Sequence, residues 1–159
     1  MAGETKRVMR RKASDNLYLH KDFHGALSCG IDYLDVHFGR EAVVRYLHRF
    51  ARSYYAPLIQ EIGERGLPAL KEHFERIYSL EGGEIVLETS EENLTLRVAA
   101  CPAVSHMRRK GYRVARLFKE TTDTVNRALC EGTGVRAELV FYDDRTGRSV
   151  QRFTRESLR

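Results

Sequence analysis

The chain predicts an α+β fold, with an antiparallel sheet built from two hairpins and helices packed over one face. Three observations carry this. Apolar residues recur at spacings of three and four from Leu19 to Tyr78 and again from Phe118 to Cys130. The pattern changes to strict alternation over residues 85–98 and 135–154. Strands and helices are also grouped rather than interleaved one by one, which favours an antiparallel sheet over a parallel one.

The first helix is predicted from near Leu19, with Phe23, Ala26, Leu27, Ile31, Leu34 and Phe38 forming one stripe and Gly39 ending it. A second helix, residues 41–64, carries Val44, Leu47, Phe50, Ala51, Tyr54, Leu58 and Ile62. Pro57 lies inside it and lacks a backbone donor, so a kink or break is expected near Tyr54–Tyr55. Gly66 closes this helix, and Pro68 suits the first turn of a third, which carries Leu70, His73, Phe74, Ile77 and Tyr78 to Gly82-Gly83. Ile85, Leu87 and Thr89, then Leu94, Leu96 and Val98, form the first hairpin around Glu91-Glu92-Asn93. Pro102 stops the second strand, and residues 103–110 make a short helix before Gly111. The next helix, 118–130, presents Phe118, Thr122, Val125 and Leu129 on one face. Residues 135–142 and 149–154 form the second hairpin about a turn that runs from Asp143 to Gly147.

Composition narrows the class. At 159 residues the chain fits one domain, expected over 16–159 behind a flexible basic arm at 1–15. Hydrophobic content of 42% and charge of 31% suit a soluble globular protein. No apolar run approaches the roughly 20 residues of a membrane span. The N-terminal basic cluster has no apolar core behind it, so a secretory signal is not expected and the compartment expected is the cytoplasm. Three widely spaced cysteines, Cys29, Cys101 and Cys130, argue against a disulfide framework. Five of the charges behind the net +5 sit in the first 12 residues, and basic and aromatic residues are not interleaved. That argues against nucleic acid as a partner and for a solvated tail.

Cys101-Pro102-Ala103-Val104-Ser105-His106 places a thiol, a hydroxyl and an imidazole directly after a strand. At a strand-to-helix junction, helix N–H groups stabilise a thiolate, which makes Cys101 a candidate nucleophile with His106 or His24 moving protons. A buried core thiol and a metal ligand are the alternatives. His20 and His24, four residues apart on one helix, have the spacing of a two-ligand metal pair, with Asp15 and Asp22 as partners for the ring N–H groups. Lys21 stands where a zinc protease would need Glu. Zinc could gather Cys101, His106, Cys130 and one of these histidines; the metal candidates are therefore His20, His24, Cys101 and Cys130. Tyr54 and Tyr55 beside the expected break are candidates to line a substrate pocket, the alternative being Tyr54 in the core and Tyr55 facing out. Arg108 and Arg109 are candidates to hold a substrate carboxylate.

Three segments carry a resemblance: Asn16-Leu17-Tyr18-Leu19-His20-Lys21-Asp22-Phe23-His24, Tyr54-Tyr55-Ala56-Pro57-Leu58, and Cys101-Pro102 with His106-Met107-Arg108. With these the chain resembles the L-2-amino-thiazoline-4-carboxylic acid hydrolase-like family over most of residues 16–155. The resemblance implies a small-molecule hydrolase that acts on a C–N bond of a cyclic amidine-like substrate. The last helix and hairpin are also similar to the tail of 4-vinyl-reductase-type sensor domains. That likeness implies the alternative, a non-catalytic small-molecule-binding module with or without zinc. Helices closing over a sheet pocket would then alter a homo-dimer.

Overall fold

A computed structural model describes residues 21–156, which form an α+β fold. Four helices come first: α1 (Phe23–Phe38), α2 (Arg40–Tyr54), α3 (Ala56–Arg65) and α4 (Leu67–Glu81). Strands β1 (Ile85–Thr89) and β2 (Asn93–Val98) follow, then helices α5 (Pro102–Arg109) and α6 (Glu120–Cys130), then strands β3 (Val135–Tyr142) and β4 (Ser149–Arg155). The basic arm and the expected helix start at Leu19 lie outside the described residues.

The expected second helix is two helices. Tyr55 leaves helical geometry (φ −98°, ψ 18°), and Ala56 and Pro57 open α3. Pro57 thus sits where a helix leaves its N–H groups unpaired, so the break costs no hydrogen bond.

The strands form one antiparallel sheet in the order β1-β2-β4-β3. Each hairpin pairs internally, and β2 joins β4 with Leu94 opposite Phe153, Leu96 opposite Gln151 and Val98 opposite Ser149. Those six residues are buried, while Arg97 and Arg152 project from the other face into solvent. The helices pack against the buried face, as the alternation of the strands requires.

Two apolar clusters lie under the helices. One joins α3, α4, the sheet and the end of α6 through Ile62, Leu70, Phe74, Leu94, Leu96, Leu129 and Phe153. The other joins α1, α2 and α5 through Ile31, Val43, Leu47, Val104, Met107 and Phe118. Val125 of α6 packs against both. No helix among the described residues is long and apolar enough to cross a membrane.

Candidate functional site

At the seam between the two clusters lies a cavity of about 220 Å³. The helical stripes build it. From α4 come His73, Phe74, Ile77, Tyr78 and Glu81, positions three and four apart that share one face. From α6 and its approach come Phe118, Thr121, Thr122, Val125, Asn126 and Leu129. α1 supplies Phe23, His24 and Leu27, α2 supplies Leu47 and Phe50, and Tyr55 enters from the α2–α3 break. Cys101, Pro102 and Ala103 close one side, and Gln151 of β4 reaches in from the sheet.

Cys101 is positioned by the second hairpin and by α5. Its N–H donates to the Thr146 carbonyl at 3.0 Å, and the nearby N–H groups of Ala103 and Val104 at the helix start favour a charge on its sulfur. Burial outweighs those two donors, and Glu81 adds a like charge nearby, so the thiol is pushed above its usual pKa and stays protonated. Tyr78 and Tyr142 stand close enough to feel a charge on Cys101, and burial pushes both phenols up. Gly83 permits this crowding. A Cβ on Gly83 would stand 2.7 Å from Pro102 Cγ and 2.7 Å from Tyr78 Cδ1.

Two polar features inside the cavity were not singled out by sequence reasoning. His73 is 8% exposed, and its Nδ1 has no hydrogen-bond partner. Burial holds its pKa down at about 4, so the ring is neutral at physiological pH. The second feature is an amide pair. Asn126 Nδ2 donates to Gln151 Oε1 at 2.7 Å, and Gln151 Nε2 donates to Ser149 Oγ at 2.9 Å. The signals were present: His73 lies on an apolar stripe, and Gln151 alternates with Ser149 and Phe153 on the inward side of a strand.

The candidate residues from the sequence divide into two groups. Cys101, His24 and Tyr55 share the cavity, with His24 Nε2 3.4 Å from Glu81 Oε2. His106 does not line it: this buried ring turns the other way, its Nε2 2.9 Å from Asp22 Oδ1. Five residues along a regular helix do not bring a side chain back to its start, so α5 separates His106 from the thiol. Tyr54 and Tyr55 reverse the alternative that put Tyr54 in the core. Tyr54 is 59% exposed and stacks on Phe50 at 5.2 Å, while Tyr55 turns in at the break. Arg108 lines an open surface depression and donates from Nε to the Arg145 carbonyl at 2.9 Å; the exposed Arg109 does not line the cavity either.

The zinc donor set is dispersed. Cys130 is packed in the α4–sheet cluster, with its thiol pushed up to about 12 by burial, and His106 faces Asp22. His20 lies outside the described residues. Among the described residues no group of three or more His, Cys, Asp or Glu side chains is placed to hold a metal ion. The described donors are too far dispersed to hold one zinc ion together. All three cysteines are free.

Compared with known proteins, the chain matches no protein-family model and no curated protein.

Proposed function

We propose that this protein is a small-molecule-binding module whose ligand occupies the cavity between the two apolar clusters. The observation that carries the reading is the cavity itself: lined by five helices and the sheet, largely aromatic and aliphatic, with a few polar groups at fixed points. His73 strengthens it, because a buried ring nitrogen without a partner is costly unless a ligand or water meets it. The free cysteines support action in a reducing compartment such as the cytoplasm.

The test uses indole, which an enclosure of this size admits, followed by amide NMR shifts. Binding should move the His73, Val125 and Gln151 resonances. Val125→Phe, which fills the seam from α6, should abolish the shifts at a stability cost of about 1–3 kcal/mol. Shifts that persist in Val125→Phe, or no shifts in the native protein, overturn the reading.

A second reading, hydrolysis of a cyclic amidine-like substrate, is favoured by one arrangement. The Cys101 sulfur, beside the Ala103 and Val104 N–H groups at the start of α5, shares its cavity with the His24–Glu81 pair. Here the protonated thiol would have to give its proton to a base before attack, a role open to the His24 imidazole in the same cavity. Turnover of a thiazoline carboxylate that disappears in a folded Cys101→Ser variant would support it; full activity in that variant would exclude Cys101 as nucleophile.

A further inference from the structure

We infer that the cavity selects an uncharged, single-ring ligand whose polar head both donates and accepts hydrogen bonds, such as a carboxamide. The inference rests on the binding reading above and adds the chemical class.

Charge is the first argument. Among the described residues no arginine or lysine lines the cavity, and its one carboxylate, Glu81, stands 3.4 Å from His24 Nε2. Glu81 is felt inside, since it helps to raise the pKa of Cys101, Tyr78 and Tyr55, while Arg76, outside the lining, opposes it at Tyr55 and disfavours a cation at His73. Beside Glu81 a carboxylate would lose its hydration, meet no guanidinium or ammonium group among the described lining residues, and face a like charge. A cation would have to compete with His24 for Glu81, and at the far end of α4 it would meet the neutral His73. Eight residues separate Glu81 from His73, about 12 Å along a helix.

The floor is the second argument. Each side-chain amide offers two N–H donors and a carbonyl with two lone pairs. The Asn126–Gln151–Ser149 chain uses one N–H of each amide and one lone pair of the Gln151 carbonyl. Asn126 is left with a second N–H and its carbonyl oxygen, so the floor offers a donor and an acceptor side by side. A carboxylate only accepts and an amidinium only donates; a carboxamide does both. Asn126 and Gln151 are 9% and 3% exposed, so any mismatch there goes unrelieved by water.

Size is the third. A cavity of about 150 Å³ is known to hold benzene, so one of about 220 Å³ holds a ring with a short polar head.

Benzamide, benzoate and benzamidine share shape and differ in charge, which makes them the probes, with indole as the reference for an occupied cavity. Titrations at neutral pH, read by NMR shifts, should show benzamide binding about tenfold or more tightly than either ion. Gln151→Leu tests the floor: it sits in the otherwise apolar row Leu87–Leu96–Gln151–Leu139, so the variant should fold. It should keep indole and lose the preference for benzamide. Benzoate or benzamidine binding as well as benzamide, or an unchanged preference in Gln151→Leu, overturns the inference and leaves the binding reading standing if indole still binds. Silence from indole and all three probes overturns both.

Discussion

Gly147 lies directly against Cys101: a Cβ built on the glycine would stand 2.3 Å from the cysteine Cβ and 3.1 Å from Val104 Cγ2. The second hairpin turn therefore presses on the strand-to-helix junction that carries the thiol. Asp143 holds that turn in shape, accepting from the Arg145 N–H at 3.0 Å and the Thr146 hydroxyl at 2.7 Å. Gly147 itself has φ +68°, a conformation that other residues adopt at a cost.

Gly147→Ala should therefore be among the more damaging single-methyl changes in this chain. Left-handed strain and the clash with Cys101 together should cost about 3 kcal/mol. Urea denaturation measures this, and a loss below about 1 kcal/mol would mean that the junction can give way.

His73 should impose an acid limb on stability. Its pKa falls from 6.5 in the open chain to about 4 in the fold, so between those values the unfolded state binds more protons. Stability should be complete above about pH 6.5 and should decline by about 3 kcal/mol as the pH approaches 4. In His73→Phe that part of the decline should vanish. Thermal melts of both proteins from pH 4 to 7 give the difference directly.

Cys101 should alkylate slowly at neutral pH, because burial keeps its thiol protonated. Exposed Cys29 should be labelled first by iodoacetamide, and Cys101 only as the pH rises above 9. Peptide mass spectrometry reads the order. Rapid labelling of Cys101 at pH 7 would instead favour the hydrolase reading.

Asp22 ties the start of α1 to α5 through His106, and that hydrogen bond is the chief reason its carboxyl sits below the usual 3.8. Because the folded pKa is the lower one, the stabilisation is present above 3.8 and is lost as the pH falls through the folded value. Asp22→Asn should lower the melting temperature at neutral pH, and the gap from the native protein should close in strong acid. An unchanged melting temperature at pH 7 would show that the tether contributes nothing to the fold.

Much of this molecule can be read in single segments. Of the stripe Phe118, Thr122, Val125, Leu129, the last three share one side of α6 while Phe118 sits in the turn before it, and all four line the cavity. The break at Tyr55, both hairpins and the turn closed by Gly147 also follow from residue types at short range. Periodicity works because neighbouring side chains are placed by backbone geometry alone, which repeats every 3.6 or two residues. It assigns each element an apolar side without saying what will cover that side. Pairing β2 with β4, turning His106 to Asp22 instead of Cys101, packing Cys130 away from the thiol it was grouped with, and joining Asn126 to Gln151 all link positions 25 to 84 residues apart. Such choices are made by the total burial of the assembled core, in which no local pattern carries enough free energy to decide.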